Sequence, residues 1–472
     1  MTLPWHLLSV ELAACGSILL VLAADLLLPP ARQPALWVLA LAGVAACAVL
    51  LVWHQPDARG TFQDLLVIDP LSRYFKGLFL LTAAIVIVMT RAFHRHLAAN
   101  LGAFYLLLLS ALLGMLVLAS LNDLLMLFLG LELLTFSLYI MAAYLRTDAR
   151  SVEAGMKYLI MGSVSSGFLV YGIALLYGFA GGTGFPALRA ALASGPVPLT
   201  AQAGLLLVLA GLGFKVAAVP FHLWVPDVYE GAPTPVVALL SVGSKTAGVV
   251  AILRVLYGVF LPLEWLWGDL LAVLAAATML YGNLAAIPQT NIKRLLGYSS
   301  IGHAGYLLMG LSTGSSGGIE AVGYYLLAYL FSNLTAFLVV TASADALGGD
   351  ELSRYQGLSK RSGWLAAAMF ISLLSLAGVP PLAGFVGKLL VLLRTVESGR
   401  LWLVAIGAVN VAISLYYYLL VVKRMYLDPP RTPAPIAVSP LTQATLALLV
   451  LGIFLIGVFQ EPFVRLISSS VP

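Results

Sequence analysis

Long apolar runs, separated by short polar or proline-containing breaks, follow one another along the whole 472-residue chain. A helix that crosses a membrane needs about 20 consecutive, mostly apolar residues. The pattern therefore predicts an all-α polytopic membrane protein with fourteen spanning helices, called spans 1 to 14, at 5–28, 35–53, 71–90, 101–119, 122–145, 155–179, 201–224, 233–258, 265–287, 292–312, 320–343, 363–395, 401–423 and 440–460. Because the number is even, both termini lie on one side of the membrane.

Two predicted spans contain prolines that should break them inside the membrane. Span 7 contains Pro220, with Pro226 at its exit, and span 12 contains Pro380 and Pro381. Proline removes a backbone donor and clashes with the preceding turn, and broken helices are tolerated at membrane depth where they line a polar cavity. The two breaks are five spans apart, which predicts two inverted five-helix repeats, spans 4–8 and 9–13, as in ion-coupled transporters.

The repeats suggest a division of the chain into four parts. These are an N-terminal three-helix segment over 1–100, a first repeat over 101–258, a second repeat over 265–425 and a C-terminal helix over 440–460. Fourteen of the 25 Lys and Arg residues fall after odd-numbered spans, and eight, including Arg73 and Lys76, fall on the other side. Because cytoplasmic loops carry the excess of Lys and Arg, this bias predicts that both termini are outside.

Composition excludes several classes of function. With 61% hydrophobic and 10% charged residues and a mean hydropathy of +1.01, the chain is unlike a soluble domain. Its net charge of +5 is spread along the loops, which argues against nucleic-acid binding. Two cysteines cannot ligate an iron–sulfur cluster, and His94 and His96 have no other metal ligands nearby in the sequence. Without a GxGxxG fingerprint or a phosphate-binding loop, we expect no redox cofactor and no metal in this chain.

Four ionisable residues interrupt otherwise apolar spans: Glu132, Lys215, Lys245 and Lys388. Each costs roughly 2.5–3.5 kcal/mol at the bilayer centre. An ammonium group that loses its hydration favours the neutral amine, so a buried lysine can release and regain a proton, and a nearby carboxylate favours the charged form. We therefore expect Glu132 and Lys215 to act as a pair that loads and unloads a proton. The alternative for this pair is a static structural ion pair.

Span 10 offers a further group for proton transfer. Ser299, His303 and Tyr306 share one face of this helix, and a histidine there can relay protons between Lys245 and Lys388; the alternative is a histidine that only packs. Lys245 and Lys388 can instead extend toward the membrane surface. Side chains that can hydrate the lysines are Ser241, Ser244, Thr246, Asn410 and Ser414.

The segment 221–236, FHLWVPDVYEGAPTPV, combines three prolines with His222, Asp227, Tyr229 and Glu230. We interpret it as a rigid loop that fixes spans 7 and 8 relative to each other, since Pro233 and Pro235 suit the first turn of a helix.

The same region resembles the subunit N family of bacterial respiratory complex I, the NADH–quinone oxidoreductase. The resemblance covers most of 105–425 and is carried by the segments GLELLTFSLYIMAAY, PFHLWVPDVYEGAPTPVVALLSVGSKTAG, NIKRLLGYSSIGHAGYLLMG, FSNLTAFLVV and LSLAGVPPLAGFVGKLLVL. Related antiporter-like subunits usually have His in place of Tyr-Glu-Gly after the WxPD turn, or glutamate in place of Lys388. The chain is also too short for the largest of these subunits, which ends in a long lateral helix.

The resemblance implies a membrane-arm subunit that pumps protons while other subunits transfer electrons from NADH to quinone. Its implied site is a polar axis formed by Glu132 and Lys215 as the switching pair, Lys245 as the connector, His303, and Lys388 as the terminal lysine. It also implies that NAD, FMN, iron–sulfur clusters and quinone bind other subunits, that neighbouring antiporter-like subunits are partners, and that the complex lies in the bacterial inner membrane. The alternatives are a subunit of a multisubunit sodium/proton antiporter, or a scaffold whose lysines are structural relics.

Overall fold

A computed structural model describes residues 4–29, 33, 35–53, 60–97, 100–432 and 434–471. The α-helices of the first half are α1 Ser9–Leu27, α2 Leu36–Trp53, α3 Pro70–Phe93, α4 Leu101–Ala119, α5 Leu124–Ala142, α6 Ala149–Ala180, α7 Phe185–Ala193, α8 Leu199–Val216, α9 Trp224–Gly231, α10 Thr234–Leu239 and α11 Lys245–Gly258. Those of the second half are α12 Glu264–Ala286, α13 Ile292–Leu311, α14 Ser316–Leu347, α15 Leu358–Arg361, α16 Gly363–Ala377, α17 Ala383–Glu397, α18 Leu401–Tyr426, α19 Pro440–Val458 and α20 Gln460–Ser468. A small hairpin pairs β1 Gly60–Phe62 with β2 Leu66–Ile68.

The structure confirms the predicted class, an all-α polytopic membrane protein, and every predicted span corresponds to a helix or a helix pair. Spans 7, 8 and 12 correspond to α8–α9, α10–α11 and α16–α17, while α7, α15 and α20 are short helices between or after spans. Among the described residues, twelve helices are long and apolar enough to cross a membrane. The two remaining predicted spans are α13 and the broken pair α16–α17. The division into segments 1–100, 101–258, 265–425 and 440–460 stays a prediction.

Both proline-containing spans are broken, and the two breaks have the same layout. The first half-helix ends before a residue in the left-handed region, Ala217 (φ 64°) after α8 and Gly378 (φ 88°) after α16. A cis bond follows in each break, at Val219–Pro220 and at Pro380–Pro381. The second half-helix, α9 or α17, then begins. The breaks lie in spans 7 and 12, where the prolines predicted them.

Span 8 contains an irregularity that the sequence does not reveal. A π-helical turn, Leu240–Ser244, joins α10 to α11 and ends immediately before Lys245. A π-turn fits one extra residue into the helix, and such turns are frequent at functional sites. The turn changes the direction in which the following residues point relative to α10, so it helps to aim the side chain of Lys245.

The structure corrects the placement of Lys76, which the charge count assigned to the outer side of the membrane. Lys76 is the seventh residue of α3, about 9 Å from the helix start, and it is completely buried. Its Nζ lies 2.7 Å from Oε1 of Glu11 on α1. The membrane interior therefore holds a fourth lysine. Without Lys76, seven Lys and Arg residues remain on the outer side of the membrane, compared with fourteen on the cytoplasmic side. The excess of positive charge therefore stays on the cytoplasmic side.

An ion pair joins three helices at the end of the bundle where α3 begins. Asp69 caps α3 by accepting a hydrogen bond from the Ser72 backbone N–H at 2.7 Å. The same carboxylate binds the guanidinium of Arg254 on α11 through two hydrogen bonds of 2.6 and 2.7 Å. Arg254 also donates to the carbonyl oxygen of Ala119 at the end of α4. This geometry fixes the N-terminal helices on the rest of the bundle.

Candidate functional site

The polar axis predicted from the sequence lies at the irregular points of the bundle. Lys215 is in the last turn of α8, beside the first break; Lys245 directly follows the π-helical turn; and Lys388 is on the second half of the other broken span. The three lysines are 2–4% exposed and His303 is 5% exposed, whereas Glu132 is only half-buried. In the structure, Lys245 and Lys388 therefore do not extend toward the membrane surface.

Glu132 and Lys215 face the same small cavity without touching each other. The Lys215 amine donates to Thr135 Oγ1 at 2.9 Å and lies 3.5 Å from the Tyr158 hydroxyl. Glu132 accepts a hydrogen bond from Ser166 Oγ at 2.5 Å. Among the ion pairs of the described residues, none joins Glu132 to Lys215, and both line a cavity of about 20 Å³. That volume is sufficient for one water molecule, so the static ion pair is not the arrangement in this structure.

Lys245 is held by groups that differ from those expected. Its amine donates to the carbonyl oxygen of Ser300 and to Ser300 Oγ, the latter at 3.0 Å. Ser300 Oγ in turn donates to the hydroxyl of Tyr229 at 3.2 Å. Ser241, expected to hydrate Lys245, instead accepts from the amide of Asn333 at 2.7 Å. Lys245 therefore connects α11 to α13 and, through Tyr229, to α9.

The segment that contains Tyr229 forms a helix with one buried face and one charged face. Tyr229 is buried, while Asp227 binds Lys157 of α6 at 2.7 Å and Arg294 of α13 at 2.7 Å. Arg294 also binds Glu230 at 3.0 Å. This is the rigid connection that the sequence predicted, although it is a helix and not a loop, and its Tyr229 hydroxyl accepts from Ser300, the residue that binds Lys245.

Lys215 and Lys245 are linked through the packing of their helices. Gly248 lies one turn after Lys245 on α11, and a Cβ atom at Gly248 would lie 3.1 Å from Cγ of Lys215. Because glycine has no side chain, the stem of Lys215 can pack directly against α11. The two lysines thus occupy adjacent positions in the bundle.

His303 has two tyrosine partners that the sequence did not reveal. Its Nδ1 lies 2.6 Å from the hydroxyl of Tyr325 on α14, and its Nε2 lies 3.3 Å from the hydroxyl of Tyr418 on α18. Tyr418 is also hydrogen-bonded to Ser299. Tyr306, expected on the same face, donates to the carbonyl oxygen of Gly407 at 2.8 Å and is not a partner of His303. Hydroxyl groups both donate and accept hydrogen bonds, so Ser299, Tyr418 and His303 form a chain suited to proton transfer.

Lys388 binds the end of the first half-helix of its own broken span. Its amine donates to the carbonyl oxygen of Ala377, the last residue of α16, at 2.9 Å and lies 3.4 Å from Ser414 Oγ. The last carbonyl groups of a helix lack partners within the helix, and a cation is favourable at that end. Asn410, expected to hydrate Lys388, accepts instead from the Asn283 amide at 2.9 Å. A cavity of about 10 Å³ is lined by both Lys388 and His303.

Within the described ranges, no group of three or more His, Cys, Asp or Glu side chains is placed to hold a metal ion. The chemistry that the arrangement supports is transfer of protons among amines, an imidazole, hydroxyls and a carboxylate.

Comparison with known proteins identifies similar chains. A family model described as the transmembrane domain of NADH:quinone oxidoreductase and Mrp antiporters matches residues 121–414, which include the whole polar axis. A Moorella thermoacetica protein named NADH-quinone oxidoreductase subunit N is 43% identical over 466 residues, 98% of each chain. A Heliobacterium modesticaldum protein of the same name is 43% identical over 429 residues, 91% of this chain and 90% of the relative.

Solved structures give the same result for the fold. A chain of respiratory complex I from Thermus thermophilus with bound aureothin superposes with a TM-score of 0.84 at 31% identity, covering 98% of this chain and 100% of that chain. A chain of the Mrp complex from Dietzia sp. superposes with a TM-score of 0.84 at 22% identity, covering 99% and 96%. At that identity the second likeness concerns the fold alone.

Proposed function

This chain belongs to the NADH:quinone oxidoreductase/Mrp antiporter family as a subunit N, and we propose that protons cross the membrane through its polar axis. The chain is a proton-translocating membrane-arm subunit of complex I and assembles with other antiporter-like membrane subunits. Electron transfer from NADH to quinone is performed by other subunits. The roles proposed for the axis are Glu132 and Lys215 as the switching pair, Lys245 as the connector, His303 as the relay and Lys388 as the terminal lysine.

The observation that supports this proposal is the partner set of the three lysines. Each amine is buried, and its hydrogen bonds within the described part of the chain go to neutral oxygen atoms, namely Thr135 and Tyr158 for Lys215, Ser300 for Lys245, and Ala377 and Ser414 for Lys388. A buried amine without a carboxylate in contact is not strongly held in its charged form. Glu132, across the small cavity from Lys215, can favour that charge when water or a side-chain movement connects them.

Location and cofactors follow as further parts of the proposal. The chain spans the membrane many times; we place it in the bacterial inner membrane with both termini on the periplasmic side, supported by the excess of Lys and Arg after odd-numbered spans. NAD, FMN, iron–sulfur clusters and quinone are assigned to other subunits of the complex.

The test is substitution of Lys215 in the assembled complex. We expect Lys215→Ala to reduce NADH-driven proton pumping in vesicles about tenfold or more, because no other amine occupies this position. Lys360→Ala, an exposed lysine, is the matched control and should retain pumping. If pumping and NADH–quinone electron transfer both survive Lys215→Ala, the assigned path is wrong.

Lys388→Ala tests the terminal role separately. Retained pumping in this variant would remove Lys388 from the essential path without affecting the assignment of Lys215. Sodium/proton exchange, the alternative function, predicts a pH change in the same vesicles when sodium is added without NADH.

A further inference from the structure

The phenol of Tyr139 is enclosed beside the cavity that lies between Glu132 and Lys215. Tyr139 is 5% exposed and lines this cavity of about 20 Å³. Its hydroxyl is buried, and the described part of the chain offers it no hydrogen-bond partner. Buried polar atoms are nearly always satisfied by protein groups or by ordered water. This hydroxyl therefore points to a ligand that the surrounding side chains do not supply.

Two features of the sequence place the hydroxyl at the cavity. Glu132, Thr135 and Tyr139 are spaced by three and four residues on α5, so they share one face of the helix. On α6, Gly162 lines the same cavity, and a Cβ atom there would collide with the Tyr139 hydroxyl oxygen. The glycine thus provides the space that the hydroxyl occupies. The ring is held from the side by the edge-on contact with Tyr158, at 4.7 Å between centroids.

The other polar groups around the cavity show how much hydrogen-bonding capacity is left. Thr135 and Ser165 each donate to a backbone carbonyl oxygen, and Ser166 donates to the Glu132 carboxylate. The hydrogen bonds of the Lys215 ammonium go to two hydroxyls, and an ammonium has three donors. A carboxylate accepts more than one hydrogen bond. One ammonium donor, carboxylate lone pairs and the phenol are therefore left to face the cavity.

One water molecule fits these groups in size and in chemistry. A cavity needs about 10–15 Å³ to hold a water, and a buried water makes about three hydrogen bonds. The water can accept from the Lys215 amine and donate to the Glu132 carboxylate, and its third hydrogen bond goes to the Tyr139 hydroxyl. An anion would meet the carboxylate and a cation would meet the ammonium, so a neutral ligand suits the cavity best.

We propose that Tyr139 is a positioning residue of the switching pair, and that its hydroxyl holds one water molecule between Lys215 and Glu132. This inference rests on the proposed function of the polar axis. An N–H bond of the Lys215 ammonium breaks as its proton passes to the water, and an O–H bond of the water breaks as another proton passes to Glu132. The products are a neutral amine, a carboxylic acid and a water molecule. Tyr139 keeps its own proton.

The position of the water is tested by structures of the assembled complex at a resolution that shows ordered water. In the wild type we expect density for one water within hydrogen-bond distance of Tyr139 Oη, Lys215 Nζ and the Glu132 carboxylate. Tyr139→Phe keeps the ring and its packing and removes only the hydroxyl, so this density should be lost or displaced. A wild-type cavity without the water, or a water that stays in place in Tyr139→Phe, overturns the proposal.

NADH-driven pumping in vesicles tests whether the water serves transport. We expect Tyr139→Phe to pump about threefold to tenfold more slowly, because the water loses a hydrogen bond that orients it. Its melting temperature should stay near that of the wild type. The matched control is Tyr355→Phe, since Tyr355 is also buried, its hydroxyl has no hydrogen-bond partner among the described residues, and it does not line the cavity.

The possible results separate this inference from the proposed function. Wild-type pumping in Tyr139→Phe, or an equal loss in Tyr355→Phe, removes Tyr139 from the transport path. If Tyr139→Phe pumps normally while Lys215→Ala does not, only the role of Tyr139 fails. If Lys215→Ala itself pumps normally, the proposed function fails, whatever the structures show at the cavity.

Discussion

At the residue scale, the amine of Lys215 depends on a threonine hydroxyl. Thr135 Oγ1 accepts from Lys215 at 2.9 Å and donates to the carbonyl oxygen of Leu131. Thr135→Val keeps the shape of the side chain and removes the acceptor, and a hydrogen bond to a charged group contributes about 1.5–3 kcal/mol. We expect this variant to lower NADH-driven pumping in vesicles about tenfold, since 1.4 kcal/mol corresponds to a factor of ten.

Thr90→Val is the matched control for this prediction. Thr90 is buried in α3 and donates to the carbonyl oxygen of Val86 at 2.8 Å, the same four-residue pattern as Thr135, without a lysine partner. Pumping should remain near the wild-type rate in Thr90→Val. Equal losses in the two variants would show that the effect of Thr135 comes from helix packing and not from Lys215.

The sequence revealed the ionisable residues and not their partners, for a physical reason. Lys215, Lys245 and Lys388 stand out because a charge inside an apolar span is expensive. The partners that the structure supplies, such as Ser300 and Tyr418, are neutral and common in helices. A single sequence does not show which helices pack together, so the contacts of Ser300 with α11 and of Tyr418 with α13 could not be read from it.

At the element scale, the second broken helix depends on Gly378. Its φ of 88° is unfavourable for other residues, and a Cβ atom there would lie 2.9 Å from Cδ of Lys388. Gly378→Ala should therefore displace the Lys388 amine from the carbonyl oxygen of Ala377 in addition to straining the backbone by roughly 1–2 kcal/mol. We expect pumping in vesicles to fall in this variant by more than its loss of thermal stability can account for.

Gly399→Ala separates the two effects. Gly399 also has a positive φ, 78°, but a Cβ atom there has nothing within 4 Å. In Gly399→Ala, the backbone strain should lower the melting temperature. The assembled complex that carries this variant should pump at the normal rate. If both variants pump equally well, the packing of Gly378 against Lys388 has no role in transport.

The ion pair of Asp69 with Arg254 makes the stability of the bundle depend on pH. Burial on its own raises the pKa of the Asp69 carboxyl, but the hydrogen bonds and charge of Arg254, with the N–H and hydroxyl of Ser72, more than offset this and hold the pKa below its ordinary value. Stability from this pair is therefore complete above about pH 4, the pKa of an unfolded aspartate, and is lost as pH falls through the lower pKa of the folded state.

Asp69→Asn tests this dependence, because asparagine still caps α3 while the charge is removed. We expect a loss of about 2–3 kcal/mol at pH 7, somewhat below the value for a fully buried pair because Asp69 is partly exposed. Thermal unfolding of the solubilised complex between pH 3 and 8 measures it, and the difference from the wild type should shrink at the acid end. Asp148→Asn, which changes the exposed cap of α6, should cost little at any pH; equal losses in both would contradict the ion-pair account.

The elements themselves were largely predictable. Apolar length located the fourteen spans, and Pro220 and Pro381 located the two breaks, because proline acts on its own helix. The π-helical turn at Leu240–Ser244 had only a weak signal, since its Gly243 destabilises a helix by about 1 kcal/mol, whereas proline costs about 3 kcal/mol. It depends on how α10 and α11 pack against their neighbours.

At the scale of the whole molecule, the N-terminal helices are attached partly by a buried ion pair. Lys76 of α3 and Glu11 of α1 are 2.7 Å apart, and the described residues offer no further hydrogen-bond partner to either charged group. The sequence placed Lys76 near a helix end, where lysines usually reach the surface. Only the position of α1 beside α3 shows that it is enclosed.

Removing one partner of this pair should cost more than removing both. Lys76→Met leaves Glu11 buried without its counter-charge, which typically costs about 3–5 kcal/mol. In Glu11→Leu/Lys76→Met, apolar side chains replace the pair, and stability should return to near the wild-type value or exceed it. Thermal unfolding of the solubilised complex, followed by protease protection of the N-terminal helices, distinguishes the variants. If the double variant is as unstable as Lys76→Met, the pair is needed for more than charge balance, and its ionic character itself holds α1 against α3.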